Sequence, residues 1–428
     1  MPMAALPKYL GDDFAQASPG LRFGMYLPVW GKDNKTGETL WTSHDLNYRE
    51  AGRDRQVRQF KDENKTQALN QSARLNANDR QLMEKLAQRQ AAAASVLPQM
   101  LSLQARSIAP FTTGLGNEHP LENGFAFLNP YGLPYLPGSG VKGVLRQAAR
   151  ELASGDWGDE RGWNQQPSYT LKMGKEPVHF SMIDALFGKE CSMGGKEQMR
   201  GALSFWDVIP QIKGDRLEVE VMTAHQSHYY QKKRDDRAGN SDSPHESGQP
   251  NPINFLSVPP GSGFAFHVQC HQALLARIAP DLAEADRWQG LLQAAFEHAF
   301  DWLGFGAKTA VGYGSLQRDA QAEAAMKQAF EQIQAQAQAQ AELDKLSDEQ
   351  RQIKELEQLF LATKDKGGLD AGCPVATQRL KLLDDALGWE SPEYRQQAAD
   401  LLRRIAKDLP WAKKRKQEAS DKLARLMA

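Results

Sequence analysis

Glycines and cations at short spacing make residues 133–150 a candidate anion site. The stretch runs Leu133-Pro134-Tyr135-Leu136-Pro137-Gly138-Ser139-Gly140-Val141-Lys142-Gly143-Val144-Leu145-Arg146. Pro137 and Gly138 punctuate the approach to a helix, and Ser139 suits the N-cap. Lys142, Arg146 and Arg150 recur every fourth residue and so share one helical face. Gly140 and Gly143 each cost a helix about 1 kcal/mol relative to Ala. Lys142 stands at the positive end of the dipole, where a cation is disfavoured by about 0.3–1 kcal/mol. An anion docked on the first amides would offset both terms, making Ser139, Gly140, Lys142, Gly143, Arg146 and Arg150 a phosphate seat. The other reading is an ordinary capped helix with Val144, Leu145, Ala148, Ala149 and Leu152 as its apolar stripe.

A second glycine-rich passage, Gly304-Phe305-Gly306-Ala307-Lys308-Thr309-Ala310-Val311-Gly312-Tyr313-Gly314, offers Gly306, Lys308, Thr309 and Tyr313 for the same chemistry. Neither passage suits a small nucleotide. Gly138-Ser139-Gly140-Val141-Lys142-Gly143 matches G-x-G-x-x-G, but Leu-Pro-Tyr-Leu-Pro replaces the apolar strand that a dinucleotide site requires. No H-R-D-L or D-F-G follows, which removes the kinase reading. Gly306-Ala307-Lys308-Thr309 has an alanine between the glycine and lysine of a Walker A end. Between the two passages lies a long polar loop, Thr223–Pro260, with His225, His228, Tyr229, Tyr230, Lys232, Lys233 and Arg234. Phosphate-seating amides, cations and exposed aromatics are the combination that binds single-stranded RNA.

His225-x-x-His228 and His267-x-x-Cys270-His271 have metal-ligand intervals, but no further Cys/His cluster accompanies them. Structural histidines are expected, with no metal, cofactor or catalytic residue assigned. Cys191, Cys270 and Cys373 lie far apart, which predicts reduced thiols in a cytoplasmic protein.

The elements that must position these residues follow from periodicity. Leu21–Leu27 reads as a first strand, Phe125–Leu128 as a short one. From Asp45 to Ser107 Gln, Arg, Lys and Ala dominate, and a helical insertion is expected. Its Arg49, Arg53, Arg55 and Arg58 alternate with acids as a solvated face does. A short helix is expected at Ser181–Gly188, strands at Gly201–Val208, Leu217–Met222 and Gly263–Gln269, and a helix at Asp286–Leu303. Beyond Asp319 the chain is helical again and ends with a basic run, Lys413–Lys416, read as solvated. Strands interrupted by helices predict an α+β domain on a split β-α-β unit. It spans 1–318, with the insertion at 45–107 and a mobile loop at 223–260, and a helical extension covers 319–428.

Composition narrows the classes further. With 25 % charged residues and a net charge of −1, the 428-residue chain lacks the basic excess of a freestanding nucleic-acid binder. RNA binding must therefore come from local patches or be shared with other subunits. No apolar run is long enough to span a membrane, and Met1–Leu10 has no apolar core after a basic start, so neither membrane nor secretory signal is expected.

Taken in order, Pro137-Gly138-Ser139-x-x-Lys142-Gly143-x-x-Arg146, Leu186-Phe187-Gly188, Gly201-x-Leu203-x-Phe205-x-Asp207 and Gly304–Gly314 resemble the RAMP proteins of CRISPR systems. Gly114-Leu115-Gly116, Glu122-Asn123-Gly124, His225-x-x-His228-Tyr229-Tyr230 and Pro252-Ile253-x-Phe255-Leu256-x-Val258 are most similar to the sixth-subunit family of the Cmr (type III-B) effectors. The resemblance covers about Gly20 to Ser315. It implies a modified ferredoxin-like or RRM-like fold. It also implies a non-catalytic RNA-binding place at the end of a subunit filament in antiviral defence, on the 3′ part of the guide RNA. Other Cmr-type RAMP subunits would be direct partners, and target RNA an indirect one. The rival from the same superfamily is an endoribonuclease, using Asp235 or Asp236 with a metal, or His225 or His228 as general base.

Overall fold

In the computed structural model the described residues are 4–427 apart from 5, 12, 33–38, 42–64, 122, 159–160, 174–175, 190–197, 225–226 and 231–250. They form two compact units, Met1–Phe330 and Glu331–Ala428.

The first unit begins with helix α1 (Pro19–Gly24), hairpin β1 (Trp30–Lys32)/β2 (Thr39–Trp41), helix α2 (65–72) and helix α3 (Ala77–Val96). Strand β3 (Met100–Ser107) follows, then the short pair β4 (Phe127–Leu128)/β5 (Leu133–Pro134) and helix α4 (Gly138–Ala153). Next come hairpin β6 (Ser168–Met173)/β7 (Glu176–Ser181), helix α5 (Met182–Phe187), strand β8 (Leu203–Phe205) and strand β9 (Glu218–Ala224). Helix α6 (Ser227–Tyr230), strands β10 (Asn251–Ser257) and β11 (Gly263–Cys270), and helices α7 (Gln272–Ile278), α8 (Pro280–Ala283) and α9 (Arg287–His298) lead to β12 (Leu316–Arg318).

A four-stranded antiparallel sheet, ordered β12-β3-β11-β8, organises this unit. In β3 the alternate residues Leu101, Leu103, Ala105 and Ser107 are buried, and in β11 Phe264, Phe266, Val268 and Cys270 are. That period of two turns one face of each strand inward. The register sets Phe264 opposite Ala105 and Phe266 opposite Leu103, so large rings face small or flexible partners. The apolar stripe of α4 (Val141, Leu145, Ala148, Ala149, Leu152) joins that core with Leu291, Leu292, Ala295 and Phe296 of α9. Phe305, fully buried, seals it against Phe266 at 5.0 Å and Phe300 at 5.7 Å between ring centroids.

Four expectations change. Thr223–Pro260 is not loop throughout, because Asn251–Ser257 pairs antiparallel with Glu218–Ala224 and buries Phe255 and Leu256. Leu21–Leu27 is not a strand. Pro19 opens α1, a position where its missing N–H costs nothing, and Gly20 packs on Gly132 with a 2.8 Å N–H···O bond. The helical stretch does not run to Ser107, because Met100–Ser107 is a central strand. Its Ser102, Gln104 and Arg106 carry the polar composition of the preceding helices but lie on the other face of the sheet. Hairpin β6/β7 has no counterpart among the expected elements. The short helix does form, as α5, with Ser181 and Asp184 in a reciprocal capping box and Gly188 as its stop.

Helix α10 (Ala320–Asp344) crosses the boundary, and the second unit adds α11 (Asp348–Asp365), α12 (Pro374–Ala386), α13 (Pro392–Asp408) and α14 (Lys416–Leu426). Its own core includes Leu356, Phe360, Val375, Leu383, Leu402 and Ile405. Among the described residues no helix is long and apolar enough to cross a membrane.

Close backbone approach, rather than flexibility, explains the last glycine of the closing passage. A Cβ on Gly314 would lie 1.8 Å from the Phe305 carbonyl oxygen, and its φ is +72°. Gly312 shares the left-handed backbone (φ +91°) but faces open space. Gly314→Ala should therefore destabilise the protein by roughly 3 kcal/mol or more, and Gly312→Ala by about 1 kcal/mol, as read by urea unfolding.

Candidate nucleic-acid interface

The first predicted seat is built differently from its sequence reading. Leu136 bridges Val208 through mutual backbone hydrogen bonds of 2.9 Å, which brings the start of α4 onto the end of β8. Gly138 lies so close to that strand that a Cβ would stand 2.2 Å from the Phe205 carbonyl oxygen. The Gly138 amide donates to Asp207 Oδ1 at 2.7 Å. Pro137, not Ser139, is the N-cap, and its carbonyl accepts from Gly140 at 2.8 Å and Val141 at 3.1 Å. The anion that the glycines and the helix dipole favour is thus already supplied by the chain, as the Asp207 carboxylate.

The cationic row divides. Arg146 is buried, donating to the Gly188 carbonyl at 2.9 Å with Asp184 at 3.8 Å, so it ties α4 to α5 and is withdrawn from the predicted phosphate face. Ser139, Gly143 and Arg150 are exposed, while Gly140 and Lys142 are half-buried. Arg150 lines a cleft of about 530 Å³ together with Trp163, Gln166, His179 and Asp184.

The closing loop is a rigid turn. The Phe305 N–H donates to Gly314 O at 2.9 Å, while Ala307 donates to Thr112 O and Gly314 to Pro110 O, both at 2.8 Å. A Cβ on Gly306 would stand 2.3 Å from the Thr112 carbonyl oxygen. Lys308 holds φ at +60°, a conformation non-glycine residues adopt at a cost, and it accepts the amides of Val311 and Tyr313. Its ammonium reaches β9 and β10, 5.2 Å from the centre of the Phe255 ring and 2.7 Å from Met222 Sδ. Tyr313 stands beside the same hairpin, 5.7 Å from Phe255. Burial, then Glu220 and Glu218, hold its hydroxyl above the usual phenol range. Thr309 is half-buried and Gly306 exposed.

The structure therefore unites Lys308 and Tyr313 with the β9/β10 hairpin, whose far end continues into Tyr229 and Tyr230. Those rings are 5.4 Å apart, and Tyr230 is 81 % exposed. The two glycine-rich passages themselves serve opposite edges of the main sheet, one against β8 and one feeding β12. The edge strands are three strand spacings, roughly 14 Å, apart. His225, Lys232, Lys233, Arg234, Asp235 and Asp236 lie outside the described residues, and only the helical backbone of His228 is described. Sequence reasoning missed Phe255 and Met222 as the rest for Lys308. Both sit in strands whose pairing alone reveals their neighbour.

The other histidines are used locally. His267 Nδ1 meets Ser102 Oγ at 2.8 Å, and His271 Nε2 meets Ser204 Oγ at 2.8 Å. Cys270 is buried, which pushes its thiol up to about 12, as the charge of Asp286 does in smaller measure.

The four-stranded antiparallel sheet and its closing glycine loop define an α+β domain, and comparison with known proteins places it in a family. Residues 105–317 match the RAMP superfamily, so this part of the chain is a RAMP domain. It is similar to the CRISPR system Cmr subunit Cmr6 of Pyrococcus furiosus, 29 % identical over 232 residues that cover 47 % of this chain and 63 % of that protein. The chain thus spans a little under two thirds of the length of this curated relative. Among solved structures, that of Cmr6 from Pyrococcus furiosus is 22 % identical, covering 52 % of this chain and 98 % of the other, with a TM-score of 0.26. A chain of the type III-B Cmr-beta complex bound to cognate target RNA is 15 % identical, covering 64 % of this chain and 79 % of the other, with a TM-score of 0.40.

Two measurements check the site's construction. Asp207→Ala should cost about 1 kcal/mol, the usual worth of a helix N-terminal carboxylate acceptor, seen as a lowered thermal midpoint. Burial holds His267 at about 4, against 6.5 for a solvated imidazole. Between those values the unfolded chain takes up a proton that the folded one refuses, so stability should fall as pH drops from 6.5 towards 4, by roughly 3 kcal/mol. Urea unfolding of a His267→Gln variant should lack that part of the pH slope.

Proposed function

We propose that this protein is a non-catalytic, RNA-binding subunit of a type III-B CRISPR effector, seated on the 3′ part of the guide RNA at the end of the subunit filament. Its direct partners would be the guide and neighbouring Cmr-type RAMP subunits, with target RNA reached indirectly. The RAMP domain and the similarity to Cmr6 support the assignment to such an effector. The four-stranded antiparallel sheet covered by α4 and α9 supports a modified ferredoxin-like reading of the domain.

The observation that carries RNA binding is the closing loop. It fixes Lys308 in a strained left-handed conformation beside Tyr313, on a hairpin that leads to two tyrosines. A backbone phosphate would draw the Lys308 ammonium off Met222 and Phe255, and the tyrosines would stack bases. Lys142, Arg150 and Ser139 form the secondary surface at the far sheet edge.

RNA affinity measured across salt tests this. Each phosphate contact to a single strand contributes about 0.7 to the log–log slope, so Lys308→Ala and Lys142→Ala should each flatten it by about that amount. Arg146→Ala should lower stability and leave the slope as it was. Unchanged slopes in both lysine variants would sink the reading. Cleavage of labelled guide or target RNA by the purified chain, lost in Asp235→Ala/Asp236→Ala or His225→Ala, would replace it with the ribonuclease.

A further inference from the structure

The second unit contains a segregated set of cations. Several charges elsewhere on it are paired: Lys364 with Asp408 at 2.5 Å, Arg404 with Glu357, and Lys422 with both Asp384 and Glu418 at 2.7 Å. At the corner between α13 and α14 they are not. Lys407, Lys413, Lys414, Arg415 and Lys416 are all exposed, and among the described residues none of their side chains makes an ion pair or hydrogen bond. The carboxylates nearest in sequence, Asp408 and Glu418, are already taken by Lys364 and Lys422. Arg415 and Lys416 moreover sit at the N-cap and first position of α14, where the helix dipole disfavours a cation.

This corner is held in shape by a buried group that has no other task. Arg379 of α12 is 4 % exposed and donates to the backbone carbonyls of Leu409 and Pro410, the latter at 3.3 Å. Its guanidinium lies 4.1 Å from the centre of the Trp411 ring, fixing that ring two residues before the cations. Trp411 is half-buried, so part of the indole remains open to solvent. Burying a guanidinium is costly unless its donors are used, and here its two terminal nitrogens are spent on one turn while Nε is left without a partner among the described residues. The outcome is a fixed aromatic next to five unpaired cations, repelling one another until an anion arrives.

We infer that the α13–α14 corner is a second single-stranded RNA contact, in which Lys407 and Lys413–Lys416 bind consecutive phosphates and Trp411 stacks on a base. Its ligand class is that of the proposed function, but its residues, its unit and its core are separate from the closing loop. An alternating or mixed charge pattern would suit a protein partner. The run Lys413–Lys416, four cations with no acid among them, beside an aromatic fits a polyanion carrying bases.

The test uses the full chain and a fluorescent uridine homopolymer titrated across salt. Lys413→Glu/Lys414→Glu/Arg415→Glu should weaken binding by about tenfold or more and flatten the log–log slope by about 2 units. Lys413→Arg/Lys414→Arg, which keeps the charge, should bind like the native chain. Photocrosslinking with 4-thiouridine RNA should mark the peptide containing Trp411. An unchanged slope in the Glu variant together with no crosslink there would overturn the inference. So would loss of binding to phosphatidylserine vesicles while RNA binding stays intact. Lys308→Ala and Lys142→Ala in the same titration keep the two readings apart. If they bind normally and the corner variant does not, the closing-loop seat fails and the corner stands; the reverse result fails the corner alone.

Discussion

The antiparallel pairing of β3 with β11 places Leu101, Leu103 and Ala105 under Phe264, Phe266 and Val268, and the functional surface of the first unit depends on that register. Phe266 carries the aromatic layer of Phe296, Phe300 and Phe305. Phe305 in turn is the buried pin between Gly304 and Gly306. A slip of one residue in either strand would turn these rings to the opposite face and release the loop that they anchor. The loop's hydrogen bonds to Pro110 and Thr112 can form only because β3 ends where it does, one turn of chain before them.

The glycines in both signature passages share one physical role. Gly138 on Phe205, Gly306 on Thr112 and Gly314 on Phe305 each let two backbones come closer than a Cβ permits. The passages look like nucleotide loops because both need backbone approach. Here the approaching group is the chain itself, and at α4 the anion is the chain's own Asp207. Around Lys308, by contrast, the ammonium rests on apolar and sulfur atoms instead of a carboxylate. Glu218 and Glu220 beside Tyr313 set a local negative field.

Much of this was legible in the residues. The stripe Val141, Leu145, Ala148, Ala149, Leu152 and the alternation in Gly263–Cys270 report burial directly, since side-chain period and buried face coincide. The capping pair Ser181 and Asp184 is local and needs no tertiary information. Met100–Ser107 was hidden because its outward residues have the same composition as the helices before it. Leu21–Leu27 misled because an apolar run that short fits either period.

About Pro137–Arg150 the sequence by itself determined that a helix begins near Pro137–Gly138, and it left an anion seat and an ordinary capped helix as the two readings of its start. Only the tertiary structure decided which anion, because the Leu136–Val208 bridge brings Asp207 to Gly138, 69 residues away in sequence. Only it decided, too, that Arg146 is structural while Lys142 and Arg150 keep access to solvent. Equal spacing along a helix makes cations neighbours of one another, but their surroundings are set by the elements packed alongside, and those are chosen by long-range pairing.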